Sequence, residues 1–392
     1  MTDRSWPHLI LYLDQGTTLS LFAEIGTLGR EMAPYRRLSE AGCPVTVLSW
    51  AKGEDAALAA ELAPIEIVQN DTRLPNRVWM LWRLLRLRAD FGADAVLMTN
   101  QLHGAYLPAM ARLFNRVDMI LRFGYLLSLN AAEEHGAKSW RVLRARINEA
   151  VSAWAAASII ATTRAIRDVF VTRLPFAEKK FTVVPNFVGD AFVRLGSERN
   201  RDSQDKTGLA LVYTGRLAAS KHVDLVIRAL AHSSGHRLAV IGRGPEQPRL
   251  EALAAELGVS VTFHGIVAHE ALPEIYRGCD VLATMTEYEG HPKAMIEAMA
   301  SGLVVVAPSV RGVDEVITDG VTGLLVEPTP DALAAALDRL AGDSELRRRL
   351  GSAAAAEAAE QYGLDSYVRS VAAIITGRPG HTPMALQAHE QR

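Results

Sequence analysis

Residues 287–302, EYEGHPKAMIEAMASG, place two carboxylates eight positions apart around the predicted start of a helix. Glu289 lies in a glycine-containing loop, Pro292 stands where a helix can begin without losing a hydrogen bond, and Glu297 follows one to two turns later. The helix is predicted to end at Gly302 and to lead into the apolar strand LVVVAP. Helix N-termini bind phosphate, and carboxylates accept hydrogen bonds from hydroxyl groups. The segment therefore predicts a nucleotide-sugar site, although similar glutamate pairs also occur in domains without one.

A second stretch whose residue types could bind a ligand is TGRLAASKHVDLVIRAL, which follows an apolar run. Gly215 is predicted to make a turn, and Arg216 and Lys221 flank the start of the next helix. Two cations beside a helix N-terminus, at the carboxyl end of a strand, are suited to holding a diphosphate. The alternative is a solvated basic loop, which is common before helices.

Length and composition limit the classes of protein. The 392 residues are enough for two domains, each with its own core. Hydrophobic residues make up 49% and charged residues 22%, as in ordinary soluble domains, and the net charge of −2 gives no reason to expect nucleic acid. The two cysteines, Cys43 and Cys279, are far apart, which favours a reduced, cytoplasmic protein. We find no signal peptide and no run near the ~18 apolar residues that span a bilayer.

Arginines are concentrated in the first half of the chain, which allows an anionic partner or contact with a membrane surface there, with solvated helix faces as the alternative. They are Arg73, Arg77, Arg83, Arg86, Arg88, Arg112, Arg116, Arg122, Arg141, Arg144 and Arg146. The predicted helix 138–157 also carries an apolar stripe, formed by Trp140, Leu143, Ile147, Val151 and Trp154. We interpret the stripe as core packing, because it leads directly into a strand, and keep a membrane-surface helix as the alternative.

Short apolar runs alternate with segments of helical periodicity. The helical segments cover residues 28–41, 76–90 and 138–157 in the first half and begin at Val223, Pro245, Leu272, Lys293, Pro330 and Ser344 in the second. The runs are HLILYL, PVTVLSW, PIEIV, DAVLMT, DMILRF, SIIATT and FTVVP in the first half, and LALVYT, HRLAVIG, VTFHG, CDVLATM, LVVVAP and TGLLVEP in the second. Such runs are typical of parallel strands covered by helices on both faces. The pattern predicts α/β architecture with an N-terminal domain over 1–195, a linker over 196–208, a second domain over 209–363, a helix over 364–377 packing back on the first domain, and a disordered tail over 378–392.

The order of motifs in the second half is G-R-L-x-x-x-K, I-G-x-G-P, V-x-F-x-G and E-G-x-P-K-x-x-x-E-A-M-A-x-G. This order resembles the retaining glycosyltransferases of family 4. The resemblance covers the second domain strongly and the first mainly by architecture, with VVPNFV around Asn186 similar to the segment before the crossover between domains. It implies the GT-B fold, in which two doubly wound Rossmann-like domains face a central cleft.

The resemblance also implies roles for individual residues. Arg216 and Lys221 match the pair that neutralises the donor diphosphate, Glu289 matches the glutamate that contacts donor sugar hydroxyls, and Glu297 matches the one that holds the ribose. The remaining donor-binding positions are Gly215 at the turn, Arg243, Val267 beside the base, Gly290, and the amides of Lys293 and Ala294 against phosphate. For Arg243, a solvated side chain is the alternative.

The chain departs from the family where a histidine is often found after a first-domain strand, since Phe123, Gly124 and Tyr125 occupy the matching positions. His103, in NQLHG, is the nearest catalytic candidate, and Arg122 is a possible substitute.

Two loops depart as well. The usual glycine after the clamp lysine is His222, and the glycine-rich acceptor-side loop is reduced to DQGTTLS around Gly16.

The sequence contains no D-x-D, no zinc-ligand spacing and no complete dinucleotide fingerprint. We therefore predict a metal-independent enzyme that uses no cofactor beyond a nucleotide-sugar donor such as a UDP- or GDP-sugar. The acceptor would be a saccharide or a lipid-linked molecule, and peripheral contact with the inner face of the membrane is a further expectation. The alternatives are a non-catalytic sugar-nucleotide-binding subunit and a nucleotide-sugar epimerase of the same fold.

Overall fold

The computed structural model describes residues 6–199, 208–233 and 235–377. It divides into two compact units. The first contains the chain up to Pro185 together with the segment from Tyr367 onwards, and the second contains Asn186–Ser366. Within the described residues, no helix has the length and apolar character needed to cross a membrane.

The first unit is built on a seven-stranded parallel sheet with strand order β3-β2-β1-β4-β5-β6-β7. Its strands are β1 Leu9–Tyr12, β2 Val45–Leu48, β3 Glu66–Val68, β4 Val96–Thr99, β5 Asp118–Phe123, β6 Ser158–Ala161 and β7 Phe181–Val183. All seven predicted strands are confirmed. The central strands are buried along their length, because their continuous apolar sequence lets both faces pack against helices.

Eight helices of the described chain accompany this sheet. They are α1 Leu19–Glu24, α2 Leu28–Glu40, α3 Ala59–Leu62, α4 Asn76–Phe91, α5 Tyr106–Asn115, α6 Leu127–His135, α7 Trp140–Ala155 and α8 Arg164–Arg173. The sequence analysis identified only α2, α4 and α7. The others span ten residues or fewer, which is too short for a clear helical period to stand out from the sequence.

The core interpretation of the α7 stripe is wrong. Four of its five residues are exposed, namely Trp140, Leu143, Ile147 and Trp154. The buried side of α7 carries Val142, Glu149 and Ala153 instead. Periodicity found the stripe correctly, but the small residues on the opposite side of the helix are the ones that meet the rest of the unit.

The second unit contains a six-stranded parallel sheet with order β10-β9-β8-β11-β12-β13. The strands are β8 Ala210–Thr214, β9 Arg237–Ile241, β10 Ser260–Gly265, β11 Val281–Ala283, β12 Val304–Pro308 and β13 Gly323–Val326. All six predicted strands are confirmed. The chain first extends the sheet from β8 towards β10 and then continues from β11 on the other side of β8. In open α/β sheets, ligands bind at such a reversal, outside the carboxyl ends of the strands.

Seven helices of the described residues belong to the second unit. They are α9 Asp190–Glu198, α10 Val223–His232, α11 Gln247–Leu257, α12 Leu272–Arg277, α13 Lys293–Ala300, α14 Pro330–Gly342 and α15 Ser344–Tyr362. Six of them begin at or within two residues of the predicted starts. The exception is α9, which the sequence analysis did not recognise.

Helix α9 moves the boundary between the units. The predicted boundary lay after residue 195, with a linker over 196–208, but the division falls after Pro185. Phe192 and Leu195 of α9 are buried in the core of the second unit. The polar sequence after Gly196 was taken for a linker, yet its first residues form the last turn of this helix. Residues 200–207 of the predicted linker lie outside the described residues.

The last helix of the described residues is α16, Leu364–Ile375, close to the predicted helix. From Tyr367 onwards this segment groups with the first unit. The Tyr367 ring lies 5.9 Å from the guanidinium carbon of Arg122, which is buried in that unit. The predicted disordered tail, 378–392, lies outside the described residues.

His222 stands where the family usually has glycine, and a side chain at this position has a conformational cost. His222 adopts φ +44°, in the left-handed region that favours glycine, at the junction between Lys221 and α10. Its Nε2 lies 2.7 Å from Oε1 of Glu287, so the side chain gains a partner that glycine would lack.

We predict that His222→Gly is more stable than His222→Ala by about 1 kcal/mol, because both lose the Glu287 contact but only alanine keeps the left-handed strain. The free energy of unfolding in urea measures the difference. Arg116, at φ +55°, offers a parallel Gly and Ala pair in the first unit. Equal stability of the two His222 variants would contradict the assigned strain.

Candidate functional site

The loops at the carboxyl ends of β8, β9 and β10 lie against one another through their backbones. The Gly215 amide donates to the Ile241 carbonyl at 2.9 Å, and the Gly242 amide donates to the Gly265 carbonyl at 2.7 Å. Gly242 adopts φ +129°, and a Cβ there would fall 1.9 Å from the Gly215 carbonyl oxygen. Only glycine allows this approach, so the three turns form one continuous backbone surface beside the strand-order reversal.

An ion pair stands at the reversal itself. Lys221 Nζ, from the loop after β8, lies 2.6 Å from Glu289 Oε1, from the loop after β11. The same Nζ lies 3.3 Å from Thr286 Oγ1, and the Glu287 amide donates to the Ser220 carbonyl at 3.0 Å. The structure therefore brings together two residues that the sequence analysis had placed on separate motifs.

The Lys221–Glu289 pair is accessible to a ligand. The two side chains are 24% and 21% exposed. Ion pairs that solvent can reach contribute only about 0.2–1 kcal/mol. A diphosphate that binds Lys221, and sugar hydroxyls that donate to Glu289, would replace the pair with charge-assisted hydrogen bonds at little cost.

The backbone around Glu289 is fixed from the opposite side. The Glu289 amide donates to the Arg311 carbonyl at 3.0 Å. Gly312 has φ +87°, and a Cβ on it would lie 2.1 Å from the Glu289 carbonyl oxygen. The segment 311–312 thus holds the Glu289 loop, including Gly290, in one position.

Helix α13 begins directly after this loop. Pro292 is its N-cap and provides no side-chain cap, while its carbonyl accepts from the amides of Met295 at 3.0 Å and Ile296 at 3.2 Å. In the described part of the chain, the Ala294 amide has no backbone acceptor. The predicted amides of Lys293 and Ala294 are therefore at a helix N-terminus that favours an anion.

His291 is a site residue that the sequence analysis passed over. It stands between Gly290 and Pro292, its ring packs edge-on to Tyr362 with centroids 5.5 Å apart, and its carbonyl accepts from Asn186 Nδ2 at 3.3 Å. Its buried Nδ1 has no hydrogen-bond partner within the described chain. Burial, together with the Lys293 charge, lowers the pKa of His291 to about 4, so the ring is neutral at neutral pH.

Glu297 lies deeper than Glu289. Its side chain is buried, and its Oε1 lies 2.8 Å from Nε2 of His269, in the short turn after β10. Val267, in the same loop, packs partly against the core of the second unit. The sequence analysis missed His269, because no motif joins it to a glutamate 28 positions later. The ribose-binding role of Glu297 stays a prediction.

Two further cations border the site. Arg216 and Arg243 are exposed, and neither has an ion-pair partner among the described residues. The Tyr213 hydroxyl donates to the Arg216 carbonyl at 3.0 Å and so fixes the turn that carries it. Arg243 passes close to Gly265, in the surface formed by the three glycine turns. Both guanidinium groups are available to an anionic ligand.

The remaining predicted site residues belong to the first unit. His103 lies in the turn between β4 and α5 and is exposed overall, but partial burial of its ring, together with the charge of Arg144, lowers its pKa. Arg122, proposed as a substitute, is buried. Its guanidinium donates to the Asn100 carbonyl at 2.9 Å and lies 5.9 Å from the centre of the Tyr367 ring. The guanidinium is thus engaged in contacts within the first unit, and the role of Arg122 as a substitute for the histidine stays a prediction.

Asp14 is a further polar residue at the carboxyl edge of the first sheet. It follows β1 in the loop around Gly16, and its Oδ1 is buried with no hydrogen-bond partner in the described chain. Burial raises the pKa of Asp14 to about 7, against the opposing effects of the Gln101 backbone and Arg122. A carboxyl group with that pKa can both accept a hydrogen bond and donate one. The sequence analysis named the loop but not this residue.

Within the described residues, no group of three or more His, Cys, Asp and Glu side chains could hold a metal ion.

Two protein-family models match the chain in succession. The model for glycosyltransferase family 4 matches residues 35–191, and the model for glycosyl transferases group 1 matches residues 197–357. Between them they account for most of both units. The second match includes Gly215, Lys221 and the Glu289–Glu297 segment.

Curated relatives match over part of the chain. One is the alpha-D-kanosaminyltransferase of Streptomyces kanamyceticus, 29% identical over 56% of this chain and 62% of that protein. Another is the D-inositol 3-phosphate glycosyltransferase of Streptomyces griseus, 34% identical over 52% of this chain and 45% of that protein. The matches thus span about half the length of these relatives.

Solved structures match over nearly the whole chain. Anabaena HepE in complex with UDP and glucose has a TM-score of 0.71 at 20% identity, and the match covers 94% of this chain and 100% of that one. Sucrose-phosphate synthase from Thermosynechococcus elongatus has a TM-score of 0.68 at 19% identity, with 94% and 98% covered. These similarities confirm the predicted α/β GT-B fold class. The two family-model matches, over residues 35–191 and 197–357, are what assign the chain to the glycosyltransferases of family 4 and group 1.

Proposed function

We propose that the protein transfers a sugar from a nucleotide-diphosphate donor, such as a UDP- or GDP-sugar, to a saccharide or lipid-linked acceptor. The transfer retains the anomeric configuration and needs no metal ion. The observation that carries this proposal is the 2.6 Å pair of Lys221 and Glu289 beside the N-terminus of α13. A cation, a carboxylate and the first amides of a helix meet there, and a sugar diphosphate presents groups for all three.

The geometry suggests how the donor would be activated. As the bond between the anomeric carbon and the phosphate oxygen breaks, negative charge grows on the diphosphate. Lys221, Arg216 and the positive end of the α13 dipole lie where that charge would develop. Glu289 would hold the sugar hydroxyls. The acceptor hydroxyl would bond to the anomeric carbon on the face that the diphosphate leaves, and its proton would pass to the departing phosphate oxygen.

The relatives support a nucleotide-sugar donor, since HepE was crystallised with UDP and glucose and the curated relatives are named as glycosyltransferases. Their names differ in sugar and acceptor, so they support the reaction class more than a particular substrate. The proposed setting is the synthesis of cell-surface polysaccharide or glycolipid in the cytoplasm, in contact with the inner face of the membrane.

We predict that Lys221→Ala and Glu289→Ala each lower the rate of sugar transfer about a hundredfold or more, because each removes a group that acts on the charged donor. Transfer of a radiolabelled sugar from the nucleotide donor measures the rate. Glu256→Ala, at an exposed position of α11, is the matched control and should keep full activity. Thermal unfolding shows whether the variants are folded, and full transfer activity in either site variant contradicts the assignment.

The two alternatives give different results in the same assay. A sugar-nucleotide-binding subunit would bind the donor without turnover. An epimerase would convert the donor without any acceptor.

We expect EDTA to leave the transfer rate unchanged, because the proposed charge stabilisation comes from Lys221, Arg216 and backbone amides. The measurement compares initial rates with and without EDTA, followed by addition of Mg²⁺ or Mn²⁺. A loss of activity that either ion restores would contradict the metal-independent reaction while leaving the donor site in place.

A further inference from the structure

The first unit exposes a group of large apolar side chains on three neighbouring helices, which we call the α4–α5–α7 face. Its members are Val78, Leu81, Trp82 and Leu85 on α4, Met110, Leu113 and Phe114 on α5, and Trp140, Leu143, Ile147 and Trp154 on α7. Phe114 is 75% exposed and Trp140 is 67% exposed. Single exposed apolar residues are ordinary, but a large group on adjacent helices marks an interaction site.

Helix geometry explains why these residues point outwards. On α4, Trp79, Leu84 and Leu87 fill the inner side, so Val78, Leu85 and their neighbours lie about half a turn away. On α7, small residues and the buried Glu149 take the inner side. Each of these helices therefore has an apolar outer face in addition to the side that it buries.

The three helices are held together as one surface. Asn115 Nδ2 of α5 donates to the Leu84 carbonyl of α4 at 2.6 Å. Asn148 Oδ1 of α7 accepts from the Tyr106 amide at the start of α5 at 3.0 Å. Because α5 is tied to both neighbours, the exposed side chains belong to a fixed surface and not to separate mobile elements.

The same helices are strongly basic. They contain eight arginines and two acidic residues, Asp90 and Glu149, in a chain whose net charge is −2. Asp90 pairs with Arg83 at 2.9 Å, and Glu149 is buried and lies 3.3 Å from Arg173. Exposed arginines remain without an ion pair in the described chain, including Arg88, Arg144 and Arg146. The face thus combines apolar area with arginine charge that the acidic side chains of the described residues leave unpaired at these three positions.

The aromatic residues add a second indication. Trp82, Trp140 and Trp154 are all about half exposed or more. Tryptophan combines a large apolar ring with one polar N–H group, and it concentrates at the interface between lipid and water. Helices with an apolar stripe flanked by arginines bind in the plane of that interface.

We propose that the α4–α5–α7 face binds the surface of an anionic lipid bilayer, with its aromatic and aliphatic side chains at the boundary of headgroups and acyl chains and its arginines on lipid phosphates. An anionic bilayer meets both requirements of this face, an apolar layer and a dense array of negative charge. This inference specifies the membrane contact of the proposed function. Its test needs no sugar transfer, so the two proposals can fail separately.

The first experiment measures binding of the full chain to sedimented vesicles. We expect binding to vesicles of equal parts phosphatidylcholine and phosphatidylglycerol, and much weaker binding to phosphatidylcholine alone. Phe114→Glu, Leu143→Glu and Arg144→Glu should each lower the affinity about tenfold or more, since they remove apolar area or reverse a charge. Val321→Glu and Arg228→Glu, at exposed positions of the second unit, are the matched controls and should bind like the unchanged protein.

A second readout distinguishes insertion from purely electrostatic adhesion. Tryptophan emission should shift to shorter wavelength on addition of the anionic vesicles and should be quenched by lipids labelled in the upper acyl chain. Trp140→Phe and Trp154→Phe should each reduce both effects. Circular dichroism and thermal unfolding establish that all variants are folded.

Three results would overturn the proposal. The first is equal sedimentation, including none, with phosphatidylcholine vesicles and with anionic vesicles. The second is binding to anionic vesicles that is undiminished in Phe114→Glu, Leu143→Glu and Arg144→Glu. Alternatively, light scattering could show a dimer that Leu143→Glu dissociates, with no vesicle binding, in which case the face is an interface between two copies of the chain.

Discussion

The arrangement of the candidate site depends on the reversal of strand order between β8 and β11. Parallel strands end at the same edge of a sheet, and in open α/β sheets ligands bind where the strand order reverses. Lys221 and Glu289 come from those two loops and meet at 2.6 Å. Glycines at the neighbouring turns let the backbones approach, so the fold brings together side chains that are distant in sequence.

Most of the architecture could be predicted because its signals are local. Continuous apolar runs identify buried parallel strands, and all thirteen runs correspond to strands of the structure. The motif glycines and the residues Arg216, Lys221 and Glu289 could be named because their spacing resembles a family pattern. The contacts between distant segments carry no such pattern. The pairing of His269 with Glu297, and the buried, neutral ring of His291, became visible only through tertiary packing.

The errors have a common physical origin. Periodicity shows that a helix has an apolar stripe, but it does not show which side meets the core. In α7 the buried side consists of small residues and Glu149, which Ser128 and Arg173 satisfy, and the conspicuous aromatic stripe faces outwards. Polar composition likewise suggested a linker after Gly196, although Leu195 and the turn that follows it belong to a packed helix. Burial is decided by neighbours that a local pattern does not contain.

The central claim is that the Lys221–Glu289 region binds the diphosphate of a nucleotide sugar. A thermal-unfolding panel of UDP-, GDP-, ADP- and dTDP-sugars tests it most directly, because a ligand that binds only the folded state raises the unfolding temperature. We predict a rise with one nucleotide class that is lost in Arg216→Ala and Lys221→Ala and kept in Arg228→Ala. The absence of a rise with every nucleotide, or an undiminished rise in both site variants, would contradict the account.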